Sequence, residues 1–382
     1  MSKSAVPESA LPEAGILGRL APIHAQVDRL FQLTVCLRPF RAAGPRIEAE
    51  RVGDTLVIHN YGHGGSGWSL GWGSAAIVAP IALADSVRDI AVIGCGALGL
   101  TSAVLLQRAG ARVTLYARAF PPDPNVRSSR ATGSWTPDAR IALAACVTPT
   151  FASRWEQMAR FSFARYQDSL GLAGNPVEYT DRYALSDLPP DNAIAERERQ
   201  DPIGFAHLNH RLDDLIRHSQ DFAPGTHPFP TEYCRRTTNL QFNIADYSRQ
   251  LLEEFRTAGG KLQYAEFHTP ADLAALPQKV VVHCTGFGAR ALFSDHSIIP
   301  IRGQIAWLLP QPEVTYGLTC GNLSILSRRA GIIVQANEQG DASGFNDDNE
   351  QPDTREAEAA VRLLAGIYAG MGTKQLNASK YA

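Results

Sequence analysis

Neither charge is in excess in this chain: 36 Lys and Arg stand against 38 Asp and Glu, a formal net charge of −2. That balance removes the electrostatic reason to expect nucleic acid or an acidic membrane surface as partner, and a small molecule becomes the default ligand. Cysteine is sparse and scattered. The six residues at 36, 95, 146, 234, 284 and 320 form no CxxC pair and no metal-ligand spacing, so they read as reduced core thiols in a reducing compartment, with no metal site. The first thirty residues lack a twin-arginine pair, and Pro7, Glu8, Pro12, Glu13 and Pro22 deny them an unbroken apolar stretch; no export signal is expected. Residues 68 to 84 are apolar, but Gly71, Gly73 and Pro80 interrupt them and the run is short for a membrane span. Internal repeats and low-complexity tracts are missing too. The expectation is a soluble, cytoplasmic protein with neither nucleic acid nor membrane as partner.

What is present is long enough, at 382 residues, for two domains with cores of their own. Residues 1 to 32 read as an arm, with a short helix expected from Leu17 to Phe31. A strand-like pattern starts at Leu33, and Thr55 to His59 is a short apolar strand that runs into a glycine cluster, Gly62, Gly64, Gly65 and Gly67. Ser69 to Ala84 reads as a buried helix. Ile90 to Ile93 then predicts a buried strand, Ala97 to Ala109 a helix ended by Gly110, and Arg112 to Tyr116 a second strand, which together make a βαβ unit. Farther on, Ile244 to Ala258 predicts an amphipathic helix, Lys261 to Phe267 and Val280 to Cys284 two strands, and Thr354 to Met371 a last helix started by Asp353 and Glu356 at capping-box spacing. Residues 137 to 234 show no βα alternation, and 300 to 345 read as short strands and turns.

Gly94, Gly96 and Gly99 follow a buried strand and open a helix, the context in which such glycines bind a dinucleotide. The first allows the turn, the second lets backbone approach a pyrophosphate, and the third lets helix and strand pack closely. The residue ending the second strand, where an acid would hold ribose hydroxyls, is Arg118. It could meet the 2'-phosphate of NADP, reach a phosphate of FAD, or be solvated. The upstream glycine cluster can turn amides toward an anion or a planar ring. His63 within it reads as a hydrogen-bonded structural residue, because no carboxylate or nucleophile is paired with it in sequence.

At these residues the chain resembles the D-amino-acid oxidase family of FAD enzymes, in a circularly permuted order. Arg38-Pro39-Phe40-Arg41, HNYGHGG at 59 to 65 and Trp72-Gly73 look like the family's C-terminal third. VIGCGALG at 92 to 99, SSRATGSWTP at 128 to 137, Cys284-Thr285-Gly286 and Arg302-Gly303-Gln304 look like its first two thirds. The resemblance implies an α/β fold: a Rossmann-like FAD-binding domain of the GR2 type with a discontinuous α+β substrate domain. The FAD domain would comprise residues 33–136 and 235–302, of which 33–84 are the permuted C-terminal part, and the substrate domain residues 137–234 and 303–382.

The resemblance also implies hydride removal from the α-carbon of a D-amino acid or related amine, FAD as cofactor, dioxygen as acceptor, and a homodimer as an open possibility. By motif, Arg38 would grip the substrate carboxylate, with Arg41 as the alternative, and the Gly65 carbonyl would receive the amine. Cofactor contacts would come from Gly64, Ser66, Gly67 and Ser69, from Gly94, Gly96, Ala97, Leu98, Gly99 and Arg118, and from Ser128, Ser129, Gly133, Trp135, Thr285 and Gly286. The chain departs from the family where pocket tyrosines should fall: Gly321 to Arg329 contains none, which leaves Tyr316 or Asn322 as substitutes. The glycine pair expected after the next strand is replaced by Val334-Gln335-Ala336-Asn337. Arg328 and Arg329 would favour an acidic substrate. The competing readings are an NADP-dependent reductase, motivated by Arg118, and a flavin-binding protein without turnover, motivated by the missing tyrosines.

Overall fold

Two sheets organise the chain in the computed structural model, which describes residues 20–216 and 219–378. The smaller sheet has six strands. β2 (Arg46–Val52) lies antiparallel on β3 (Thr55–Tyr61), and β10 (Val280–His283), β4 (Asp89–Ile93), β5 (Arg112–Ala117) and β9 (Lys261–Tyr264) continue it in that order, all parallel to β3. Val280 to Val282, Ile90 to Ile93 and Val57 are almost wholly buried, as expected of central parallel strands covered on both faces.

Helix α1 (Gly67–Ala82) follows β3 and helix α2 (Ala97–Arg108) follows β4. Apolar nearly all round, α1 is sandwiched between α2 and α3 (Pro149–Gln167), and small residues permit it. A Cβ on Gly73 would fall 2.1 Å from the carbonyl oxygen of Met158, and one on Gly71 would press on Thr101. On the far side α5 (Ile244–Thr257) packs on α2 through Leu251 and Phe255.

The larger sheet has eight strands in the order β1 (Leu30–Arg41), β11 (Ile298–Leu308), β14 (Gly331–Ala336), β13 (Leu323–Arg328), β12 (Tyr316–Cys320), β6 (Val177–Ser186), β8 (Tyr233–Phe242), β7 (Gln220–Phe222). Every pair is antiparallel except β12 with β6. The long helix α8 (Thr354–Ala378) covers it, burying Ala357, Val361, Leu364 and Ile367 beside Ile332 and Val334. The remaining helices are short: α4 (Pro190–Arg199), α6 (Pro270–Ala274) and α7 (Ala289–Leu292).

Several expectations need correction. Of the helix expected from Leu17 to Phe31, residues 17–19 lie outside the described residues, and 20–26 carry no helix. A single 3-10 turn at Val27–Arg29 leads straight into β1. Ile23 is buried, and the amide of His24 donates to Gln311 Oε1 at 2.7 Å, so this part of the arm is tied down rather than loose. Two strands given by sequence to the first domain, β1 and β8, belong to the eight-stranded sheet. Conversely α3, given to the second, places Trp155, Met158 and Tyr166 in the core under the smaller sheet. The Asp353 carboxylate does cap α8, accepting from the amides of Arg355 and Glu356. Glu356 does not turn back to complete the box; it pairs with Arg302 at 3.3 Å, and Gln304 takes the Asp353 amide instead. The Arg302-Gly303-Gln304 motif therefore clamps the start of the last helix. Among the described residues no helix is long and apolar enough to cross a membrane.

Candidate cofactor and substrate site

Parallel strands end at a common edge, and three of them end in glycine turns: β3 at Gly62 to Gly67, β4 at Gly94 to Gly99, β10 at Thr285-Gly286. Ligands of open α/β sheets bind outside this carboxyl edge. A cleft of about 760 Å³ opens there, and residues of all three turns line it together with Arg38 from β1 and Gly303 and Ile305 from β11. The two glycine patterns that sequence separates by thirty residues thus face one space.

The turns need their glycines. Gly94 has φ +100°, and a Cβ on it would stand 2.6 Å from the Cys284 carbonyl; Gly64 has φ +54° and would drive a Cβ to 1.9 Å from the Arg140 carbonyl. Gly99 sits behind the wall, its Cα directly against the Gly94 carbonyl (1.8 Å for an added Cβ), as the third glycine of a dinucleotide turn should. The N-cap of α2 is Gly96, which supplies no side-chain cap, and its first turn holds no acid. That helix end is therefore open to an anionic ligand. The Ala97 amide donates to Ser128 Oγ at 3.1 Å, which ties the Ser128 loop to the same turn.

His63 lies on the cleft wall, fully buried. Ser74 gives its hydroxyl proton to Asn60 Oδ1, so Ser74 Oγ accepts from His63 Nε2 at 3.0 Å, which leaves the lone pair on Nδ1. Nδ1 has no protein partner. Burial, with the charge of Arg154 second, holds the ring neutral by depressing its pKa to about 3. The ring is hydrogen-bonded through one nitrogen, and among the described residues its other nitrogen is an unsatisfied acceptor.

Of the expected site residues, Arg38, Gly64, Gly65, Gly67, Gly94, Gly96, Ala97, Leu98, Arg118, Ser128, Thr285 and Gly286 line the cleft. Ser66, Ser69, Gly99, Ser129, Gly133 and Trp135 are not on its wall. Ser66 Oγ donates to the carbonyls of Thr136 and Ala139, and Ser69 Oγ accepts from the Thr136 amide, so both fasten the 134–139 loop to α1. Gly133 (φ +83°) lets the backbone meet Phe242, and Trp135 is buried core.

Arg38 and Arg41 part company. Arg41 donates to Ser297 Oγ and the Gly44 carbonyl and stands 3.5 Å from Asp295, away from the cleft. Arg38 faces the cleft and donates to the Arg302 carbonyl at 3.2 Å. Among the described residues no carboxylate lies within ion-pair distance of it. Asp341, whose charge it feels, is engaged by Arg140 at 3.4 Å and Arg197 at 2.6 Å. Burial lowers the pKa of Arg38. A desolvated guanidinium without a counterion invites an anion.

Among the wall residues that sequence reasoning did not assign, three bear on the site's chemistry. Gly303 makes room for Arg38, since a Cβ there would fall 2.3 Å from both guanidinium nitrogens Nη1 and Nη2. Trp68 lies on the wall with its indole N–H held by the Ser128 carbonyl at 2.9 Å. Glu266, just past β9, is the one acidic side chain on the wall among the described residues, and it pairs loosely with Arg118 at 3.8 Å. The acid expected at position 118 thus stands one strand over, which strand pairing reveals and linear spacing does not. The tyrosine substitutes fail. Tyr316 turns away to the Tyr368 hydroxyl and the Ala21 carbonyl, and Asn322 binds the Glu338 carbonyl at an exposed turn. Arg328 donates to the Ala131 and Thr132 carbonyls beneath Trp307, and Arg329 is exposed, so neither supports an acidic substrate.

FAD fits these residues: two glycine turns that admit no side chain, an open helix N-terminus, and an unsatisfied acceptor on the wall. The sequence profile of the family described as "FAD dependent oxidoreductase" (DAO) matches residues 89–376. The chain is 27% identical to a D-amino-acid oxidase of Streptomyces coelicolor over 297 residues, which is 74% of this chain and 79% of that protein. It is 28% identical to a D-amino-acid oxidase of Rubrobacter xylanophilus over 223 residues, 57% of this chain and 59% of that one. In fold it is similar to the iminodiacetate oxidase of Chelativorans sp. BNC1, at a TM-score of 0.52 and 15% identity over 74% of this chain and 79% of that one. The NADP reading of Arg118 is set aside, for the matching family is FAD-dependent and the side chain is largely exposed.

Proposed function

This chain belongs to the FAD dependent oxidoreductase family, and from that premise we propose that it oxidises a D-amino acid or a related carboxylated amine to the imino acid, with dioxygen as acceptor and hydrogen peroxide as co-product. The observation that supports this most is Arg38, a guanidinium facing the cleft with no carboxylate of its own among the described residues. Its planar fork suits a carboxylate, and Gly303 leaves it room to present that fork. The Gly65 carbonyl, on the same wall, is assigned the amine.

Gly64, Gly67, Trp68 and His63 would hold the ring system of FAD. Gly94, Gly96, the amides opening α2 and Gly286 would hold its phosphates, with Glu266 and Arg118 at the adenosine end. When bound, the flavin supplies the two-electron acceptor; the protein supplies position, charge and exclusion of water. We read residues 33–84 as the family's C-terminal portion moved to the front, because the profile match starts at β4 while the earlier segment supplies β3 and part of the cleft wall, Arg38, Gly65 and Trp68 included.

A second reading, flavin binding without turnover, is favoured by the missing tyrosines, since no aromatic hydroxyl from 321–329 closes the cleft. The visible spectrum followed by anaerobic addition of D- and L-amino acids, glycine and iminodiacetate separates the two. Bleaching by a D-amino acid is the expected result. A yellow protein that no carboxylated amine bleaches would overturn the oxidase assignment and leave the binder.

A further inference from the structure

One line of titratable groups crosses the smaller sheet from its surface to the cleft. His59 on β3 and His283 on β10 are same-register partners of adjacent parallel strands. Their rings meet on one face with Nδ1 3.0 Å from Nδ1. Both are fully buried, and the Phe293 ring packs against each at centroid distances of 4.7 and 4.8 Å. Inward, His283 Nε2 lies 2.6 Å from Thr285 Oγ1, and Thr285 lines the cleft. Outward, His59 Nε2 stands 3.1 Å from Oε1 of Glu50 on β2, a carboxylate 39% exposed. That last contact is within ion-pair distance but is not aligned as a hydrogen bond.

Burial and the positive charge of Arg46 keep both rings neutral, so each carries one N–H. The ends of the line then fix the protons. The oxygens of the Glu50 carboxylate accept, which places the His59 proton on Nε2 and leaves a lone pair on its Nδ1. His283 must donate from Nδ1 and accept at Nε2 from the Thr285 hydroxyl. Every link therefore points from cleft to surface. The other charged or titratable neighbours are occupied with one another: Tyr61 binds Arg46 and Asp295 at 2.9 and 2.8 Å, and Arg46 also pairs with Glu48 and Glu50.

We propose that Thr285, His283, His59 and Glu50 form a relay that exchanges protons between the cleft and solvent. The inference rests on the amine-oxidising reading, because turning an α-ammonium group into an iminium takes a hydride from carbon and also releases one proton from nitrogen, which must leave the cleft. The steps balance. One proton enters at the Thr285 oxygen while its hydroxyl proton passes to His283 Nε2, the His283 Nδ1 proton passes to His59 Nδ1, and the His59 Nε2 proton passes to Glu50, which releases one to water. Nothing along the line is oxidised or reduced. The reversed tautomers then point inward and carry the next proton from solvent to the cleft.

The relay is tested in the FAD-loaded protein by two measurements. The ¹⁵N spectrum of labelled histidine should show two neutral rings of opposite tautomer, protonated at Nε2 in His59 and at Nδ1 in His283; identical tautomers or a charged ring would overturn the proposal without any substrate being added. In anaerobic single turnovers followed with a pH-indicator dye, proton release should keep pace with flavin bleaching in the parent. It should lag about tenfold in His283→Asn and in the surface variant Glu50→Gln, and free imidazole in the buffer should restore the latter. Release that stays in step with bleaching in both variants would refute the relay. Failure of every amine to bleach the flavin would instead refute the functional reading, and the tautomers would still decide the relay.

Discussion

Substituting Gly303 by alanine should disable the cleft while leaving the fold intact. The added Cβ would stand 2.3 Å from Nη1 and Nη2 of Arg38. Non-bonded contacts of this kind relax at roughly 3.5 Å, so the guanidinium has to retreat by roughly 1.2 Å, the difference of the two distances. A misplacement of about 1 Å at a positioning group costs about 100-fold, or about 2.7 kcal/mol of transition-state stabilisation. Stability should hardly suffer, because the clash falls on the far end of a flexible side chain and alanine replaces the glycine of a regular strand. The assay is anaerobic flavin bleaching by the D-amino acid that reduces the parent, with flavin content and thermal midpoint measured alongside. The expected outcome is kcat/KM down about 100-fold with normal flavin content, approaching the loss in Arg38→Leu. A Gly303→Ala protein that binds flavin and keeps its kcat/KM would refute the assignment of the carboxylate to Arg38.

Two further outcomes follow from the geometry. His63 is held near a pKa of about 3 against an ordinary 6.5, so the unfolded chain takes up protons that the native one refuses. Its contribution is whole above 6.5 and lost as pH falls toward 3, at up to ~1.4 kcal/mol per unit; His63→Gln should flatten urea-unfolding stability between pH 6.5 and 4.5 by about that slope, and equal slopes would reject the buried neutral ring. The Ala21 carbonyl and the Tyr368 hydroxyl both bond the Tyr316 hydroxyl, at 2.8 and 2.7 Å, so the two ends of the described chain lie together. A rearranged chain opened within residues 83–88 and joined by a short Gly/Ser linker from α8 to β1 should therefore fold and bind FAD with unchanged visible bands; loss of flavin binding would count against residues 33–84 being a transposed part of one fold.

The parts legible in the sequence were those with an unbroken local pattern. β3, β4, β5 and β10 are apolar runs, α1 is a longer one, and α2 and α5 keep helical period and stop at glycine. β2 was not told apart from the strand-like stretch after Leu33, because the charged Arg-Ile-Glu-Ala-Glu-Arg-Val shows its place only as an edge strand hydrogen-bonded to β3. α3 did carry a readable start. Thr148 caps it by accepting from Phe151, Pro149 opens it, and Ala152, Trp155, Ala159, Ser162 and Tyr166 keep one face buried; aromatic and polar composition masked that period. The cleft divides likewise. Glycine turns announced themselves, whereas Gly303 under Arg38, Glu266 beside Arg118 and the His59–His283 pair exist only once strands far apart in sequence come into register.

That dependence on register has a consequence for how the site comes to exist. Arg38 enters from β1, His63 and Gly65 from the turn after β3, Gly94 and Gly96 from the turn after β4, Thr285 from the turn after β10, and Gly303 from β11. Because β10 lies between β3 and β4 in the sheet, the glycine cluster and the Gly94 turn cannot face one cleft until a strand from much later in the chain is inserted between them. No fragment that ends before β10 holds the dinucleotide turn against the glycine cluster. Cofactor affinity is thus available only to the completed pair of sheets, and binding adds RT ln(1 + [FAD]/Kd) to the stability of that state alone, about 2.7 kcal/mol at a hundredfold excess over Kd. Whichever segment the gene places first, FAD selects the same closed arrangement of strands.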